Sequence, residues 1–264
     1  MFVVAVTRWG TPLEAELPSL AKELGEQAYD LRLKLAGTLP AYAYRGPDLT
    51  RAQAVLAIMQ RRNHGAVACD VEHVHAAESM LTPRAVVFEP DAVRFERGVT
   101  QDAIAYADML AVVHALETNA LDGSQKVTER TVSLGRAALS GGLVVSKSES
   151  SEKRTQTRDA EQVLYVFRRS GEDPILLRQQ AIRVSGQPGT APRTSLESFQ
   201  LAISELRRRA PDALYDNRLL TSKRKTVVAS HVVTTTSTTT SHSNASENDL
   251  AAHLIALGFL KGQL

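Results

Sequence analysis

The stretch "RRNHGAVACDVEHVH" (residues 61–75) gathers His64, the only cysteine (Cys69), Asp70, Glu72, His73 and His75 into fifteen positions. Read as chemistry, it is a metal or catalytic site. Read as structure, it is the end of a helix, a turn and a strand. In a strand running to residue 75, Cys69, His73 and His75 fall on one face, because alternate residues share a side, and Cys with His suits zinc. But the stretch has no CxxC and no HxxxH, and nothing after residue 75 completes a ligand set. The structural reading is preferred. Arg61 and Arg62 then sit at the negative end of a helix dipole, Gly65 caps the helix, and Cys69 packs in an apolar strand.

Working outward, "GPDLTRAQAVLAIMQRRNHG" (46–65) is the clearest helix of the chain. Asp48 or Thr50 can cap it, and Ala52, Val55, Leu56 and Met59 form its buried stripe. Before it, "FVVAV" (2–6) has the pattern of a buried strand. "TPLEAELPSLAKELG" (11–25) has helical spacing, with Pro12 and Pro18 arguing for an irregular or restarted helix and Ser19 available near its first turn. "AYDLRLKLAG" (28–37) presents Leu31 and Leu35 on one face and ends at Gly37, and "LPAYAY" (39–44) is extended. The order over residues 1–78 is therefore β-α-α-β-α-β.

That order resembles the C-terminal domain of the bacterial large-subunit ribosomal stalk protein. The residues that carry the resemblance are "AYDLRLKLAG", Pro40, Gly46 six positions later, the Ala52–Ala54 pair, and Gly65-Ala66-Val67, over about 45 residues. It implies a small α/β sandwich used to contact other proteins. That family carries lysines on the helix that meets translation factors; this chain has Asp30 and Leu33 there, so a translation-factor role is not carried over.

Residues 82–220 read as a second domain of mostly antiparallel strands. "PRAVVFEPDAVRFER" (83–97) is strand, turn, strand, with Pro90 and Asp91 placed for a type I turn. "IAYADMLAVV" (104–113) is a corner at Tyr106-Ala107-Asp108 followed by a strand, and "VLYVFRRSGEDPILL" (163–177) is two strands around Ser170-Gly171. "TSLESFQLAISELRRRAP" (194–211) is a helix opened by the capping box Thr194-x-x-Glu197. Its expected apolar stripe is Leu196, Phe199, Ile203 and Leu206. These segments resemble the pleckstrin-homology-like fold of the GRAM type, over about 100 residues. The resemblance implies a β barrel closed by an amphipathic helix, and that fold serves lipid binding, peptide binding or scaffolding. The polar run "SKSESSEKRTQTRDAE" (146–161) is expected as a long exposed loop. "SLGRAALSGGLVV" (133–145) lacks a phosphate-loop pattern and reads as a hairpin turn at Ser140-Gly141-Gly142.

Residues 221–264 form a tail. Its Thr/Ser run reads as a linker, with an edge strand through Val227–Val233 as the alternative. "LAAHLIALGFL" (250–260) then follows as a helix capped by Ser246-x-x-Asp249, with Leu250, Leu254 and Leu257 on one side. It docks on the body in the simplest reading. The fold class expected for the whole chain is α+β.

Composition bounds the function. The chain has 264 residues, 43% of them apolar and 5% aromatic, and a formal charge of +2. That charge is too small to imply nucleic acid or an acidic membrane by itself. One cysteine excludes an internal disulfide framework, and a reducing cytoplasm is the expected location. "MFVVAVTRWG" has no basic region ahead of its short apolar run, and no stretch reads as a membrane span.

No GxSxG, HExxH, Walker or dinucleotide fingerprint is present. The expectation is a non-catalytic adaptor with a protein partner or a homodimer, no catalytic residues, no metal and no cofactor. A ribosome- or nucleic-acid-linked role would rest on Arg207–Arg209 and on "KRK" (223–225). A lipid-surface role would rest on a basic rim of Arg94, Arg97, Arg168 and Arg169.

Overall fold

The computed structural model describes residues 1–132, 146–185, 194–222, 227–233 and 237–264. The expected hairpin turn at Ser140-Gly141-Gly142, and the basic run at 223–225, lie outside the described residues. The chain divides into two compact units. One comprises Met1–Glu117, Glu161–Lys225 and Ala245–Leu264; the other comprises Thr118–Ala160 and Thr226–Asn244.

In the larger unit, β1 (Phe2–Arg8) is the centre of a three-stranded antiparallel sheet of order β2-β1-β3, with β2 at Ala41–Gly46 and β3 at Gly65–Asp70. Helices α1 (Leu13–Leu24), α2 (Ala28–Leu35) and α3 (Leu49–Arg61) supply the core on one face of this sheet. There Val4 and Val6 meet Leu20, Leu31, Val55 and Met59. Val3 and Ala5 point to the other face, against Leu250 and Leu254. The run "FVVAV" is continuously apolar because both faces of its strand are covered.

Asp48 caps α3 as expected, its side chain accepting the Arg51 N–H at 3.1 Å. Two details differ from the sequence reading. Helix α1 runs through Pro18 as one element, and Ser19 bonds back to the Glu16 carbonyl at 3.0 Å instead of starting a new helix. Asn63, not Gly65, takes the left-handed conformation after α3, with φ of 62°. Asparagine tolerates that region.

The turn at Asn63 also explains Gly10. A Cβ on Gly10 would lie 2.2 Å from the Asn63 carbonyl oxygen. Gly10→Ala is expected to destabilise the protein by about 2 kcal/mol, since backbone on both sides must move. Urea denaturation checks this; a change in midpoint within error contradicts it.

Strands β4 (Ala85–Phe88), β5 (Ala92–Arg97) and β6 (Thr100–Ala105) form a meander, and β10 (Arg183–Ser185) adds in parallel beside β4. A single turn at Tyr106–Asp108 carries the chain into a second sheet. That sheet holds β7 (Met109–Val132), β8 (Ser146–Arg168) and β9 (Ile175–Arg178), with β11 (Leu214–Leu219) parallel to the start of β7. Val86, Phe95 and Ile104 of one sheet share a core with Val112, Leu164 and Val166 of the other, and with Phe199, Ala202 and Leu206 of α4 (Ser195–Arg209). The capping box Thr194/Glu197 is formed, but Leu196 is exposed and does not join the stripe.

The α+β class holds; the closed barrel does not. Among the described residues the two sheets stay open. No described strand of one pairs with a strand of the other, so no cylinder closes; an isolated bridge joins Leu81, ahead of β4, to Ile175 of β9.

Helix α5 (Ala245–Leu260) is apolar nearly all round, and such a helix is a buried one. Leu250 and Leu254 face the three-stranded sheet, while Ala251, Ala252, Ile255 and Ala256 face Leu110, Val113, Val163 and Tyr165 of β7 and β8. No helix among the described residues is long and apolar enough to cross a membrane.

In the smaller unit, β12 (Val227–Val233) and β13 (Ser237–Ser243) pair as antiparallel strands, and β13 pairs with Asn119–Gln125 of β7. The strand at Val227–Val233 matches the alternative reading, whereas the strand Ser237–Ser243 falls in the Thr/Ser run expected as a linker. The polar stretch 146–161 lies within β8, not in a loop. The stretch has no apolar alternation, so periodicity carries no strand signal there.

Candidate functional site

The residues of 61–75 disperse. His64 is 1% exposed; its Nδ1 accepts the Gly10 N–H at 3.1 Å and its ring meets Trp9 edge-on. Burial lowers its pKa, so the ring is neutral. Cys69 packs among the residues between β3 and α5. Burial, and then the charge of Asp70, pushes its thiol up to about 11, which removes it as a nucleophile at neutral pH. Asp70 accepts the Met1 amine at 2.9 Å and the Glu72 N–H at 3.2 Å. His75 Nδ1 lies 3.2 Å from Asp173. Among the described residues no group of three or more His, Cys, Asp and Glu is placed to hold a metal ion.

Two associations escape a reading of the sequence. His253 of α5 lies near enough to His73 and His75 for their charges, after burial, to lower its pKa. Its only sequence signal is a polar residue breaking an apolar helix. The second is a buried acidic network at the start of α5. Tyr165 donates to Asp249 at 2.8 Å and lies 3.4 Å from Glu117. Asp249 also accepts the Ala77 N–H at 2.9 Å, and Arg178 binds Glu117 at 2.7 Å and Glu161 at 3.4 Å. Asn248 donates to the Leu116 carbonyl at 3.0 Å. The helix starts at Ala245, so Asp249 serves this network in place of the capping box expected with Ser246. Burial raises the Asp249 carboxyl to about 6.

Three of the four arginines of the expected rim are engaged by neighbours. Arg94 pairs with Glu89 and Glu96 at 3.1 and 3.2 Å. Arg168 is buried against Asp102 and Glu172. Arg169 donates to the Asp212 carbonyl at 3.2 Å, and Arg97 is exposed. At the end of α4, Arg208 and Arg209 bind Glu205 at 2.6 and 2.7 Å, and Arg207 stacks over Tyr215. These are intramolecular duties.

Among the described residues, α2 presents an uncovered apolar face. Leu31 and Leu35 face the core, which leaves Tyr29 and Leu33, one turn apart, 70% and 63% exposed. Gly25, at φ of 68°, ends α1 and opens a cavity of about 640 Å³ beside them, lined by Gly25, Glu26, Gln27, Asp30, Leu33 and Lys34. Lys34 pairs with Glu26 at 2.6 Å. Apolar side chains beside a carboxylate and an ion pair can bind a peptide or helix. Comparison with models of known families, with curated proteins and with solved structures finds no match for this chain.

Proposed function

We propose that this chain is a non-catalytic adaptor that binds another protein through the outer face of α2. The observation that supports it is the exposed pair Tyr29 and Leu33, the second of which lines an open cavity, on a helix whose other face is buried. Large apolar side chains exposed together are commonest at interaction sites, and tyrosine is favoured at the centre of interfaces. Asp30 lies in the same lining, so the fitting partner presents an apolar side chain flanked by a lysine or arginine. The single, unpaired cysteine supports work in the reducing cytoplasm.

The double variant Tyr29→Ala, Leu33→Glu is expected to change stability by no more than about 0.5 kcal/mol, because both positions are solvent-facing. It is expected to lower partner recovery about tenfold or more. Quantitative affinity capture with wild-type and variant baits, with and without nuclease and at two salt concentrations, checks this. Equal recovery by both baits overturns the assignment to α2. Recovery that nuclease or salt abolishes points to the nucleic-acid-linked reading instead.

A further inference from the structure

The sheet of order β10-β4-β5-β6 ends at β6. The inner side of this strand is engaged by β5. The turn at Gly98 and Val99 joins Arg97 to Thr100, and across a two-residue turn the flanking residues exchange both backbone bonds. Alternation then assigns Thr100, Asp102 and Ile104 to the bonds with β5. The Tyr106 N–H keeps this phase, donating to the Asp91 carbonyl at 3.1 Å. The N–H and C=O groups of Gln101, Ala103 and Ala105 therefore point off the edge of the sheet.

Among the described residues nothing covers that edge. Gln101, Ala103 and Ala105 are exposed, and no described group bonds to their outward N–H and C=O groups. Two other edges do have covers. The Ala66 N–H of β3 meets the Gln263 side chain at 3.4 Å, and the Leu176 N–H of β9 donates to the Leu81 carbonyl at 3.0 Å. Edge strands are commonly protected by proline, lysine or a bulge. The sequence of β6 has neither proline nor lysine, and its register with β5 runs without a shift. Its one charge, Asp102, lies on the core side opposite Phe95, where Arg168 neutralises it.

We propose that two copies of this chain meet at this edge, their β6 strands pairing antiparallel about a two-fold axis at Ala103. That register is self-complementary. Ala103 lies opposite its own counterpart and Gln101 opposite Ala105, and residues so placed exchange both backbone bonds, which satisfies every outward group of the strand. The small side chains of Ala103 and Ala105 let the backbones approach. No like charges lie directly opposite, since Asp102 falls against Ile104. A row of glutamine and alanine offers a foreign peptide little side-chain chemistry to be selected by, whereas a second copy matches it residue for residue. Such an isologous contact closes at two copies. The edge is separate from α2 and does not depend on the adaptor role. One pair of short strands buries less than a permanent interface, so the dimer is expected to be concentration-dependent.

Sedimentation velocity of the full chain between about 1 and about 100 µM tests this. A reversible rise from monomer to dimer is expected. Ala103→Pro is expected to abolish it with the far-UV circular dichroism unchanged, because proline removes an N–H that points off the sheet and leaves the bonds to β5 in place. Ala103→Lys and Ala103→Glu put like charges on the axis, and each is expected to stay monomeric over the same range. An equimolar mixture of the two is expected to dimerise. Should Ala103→Pro fail to fold, the charged pair still decides. A wild-type chain that stays monomeric, or that grows beyond a dimer, overturns the proposal. So does a dimer that survives Ala103→Pro, or a mixture of the two charged variants that stays monomeric.

Discussion

Replacing Leu254 with aspartate is expected to destabilise the larger unit by more than about 4 kcal/mol, a large share of what holds a domain together. Leu254 is fully buried against Val3, Ala5 and Val67, while Ala251, Ala252, Ile255 and Ala256 of the same helix fill the core over β7 and β8. Helix α5 is thus shared by two cores, and each buried Leu or Ile contributes about 1.5–3 kcal/mol. An aspartate at 254 removes that contribution and buries a carboxylate with no donor provided for it. Leu260→Gln, at a position 57% exposed on the same helix, is expected to change stability by no more than about 0.5 kcal/mol. Thermal and urea unfolding followed by circular dichroism separates the two. Similar stability for both variants contradicts the shared-core role of α5.

Asp249→Asn is expected to stabilise the protein by about 2–3 kcal/mol at pH 7.5 and by only about 1 kcal/mol at pH 4.5. Burial is the main cause that raises the Asp249 carboxyl to about 6, with Glu117 and Glu78 adding to it and the bonds from Tyr165 and Ala77 opposing it. Tyr165 stays protonated, pushed up by burial and by Asp249 and Glu117. The folded protein therefore holds a proton on Asp249 between about pH 4 and 6 that the unfolded chain has released. Stability from this group falls as pH rises through that window and is level above it. Ionising a carboxyl raised this far above its ordinary value costs the folded state about 3 kcal/mol.

The asparagine can accept the Ala77 N–H and donate to Tyr165, whose hydroxyl then turns to Glu117. His253 works the other way: its pKa is lowered, first by burial and then by His75 and His73, so protonating it as pH falls below its ordinary value opposes folding. The two groups offset each other in the wild type, and the difference between wild type and Asp249→Asn isolates the carboxylate. Chemical denaturation across pH 4.5–7.5 gives that difference. Parallel curves contradict the assignment of Asp249.

The elements visible in the sequence are those whose pattern is set locally. "FVVAV", the stripe Ala52, Val55 and Met59 under the Asp48 cap, and the Thr194/Glu197 box all appear where their residues place them. The Tyr106–Asp108 corner does as well. What escapes depends on distant partners. Residues 146–161 are strand because a neighbouring strand satisfies their backbone, which no local pattern encodes. The open sheets follow from the absence of pairing between their described strands. The Glu117–Tyr165–Asp249 network joins three elements far apart in the sequence, whose pairing no local pattern encodes. On α2, Leu31 and Leu35 are legible as the buried face. That nothing covers Tyr29 and Leu33 is legible only in the structure.

The adaptor role rests on that uncovered face, and photo-crosslinking tests it most directly. A photoreactive residue replaces Leu33 in one protein and Val99, which is fully exposed, in another; both are irradiated in native lysate. The account predicts a discrete protein adduct from position 33 that position 99 does not give. No adduct at 33, or the same adducts at both positions, would contradict it.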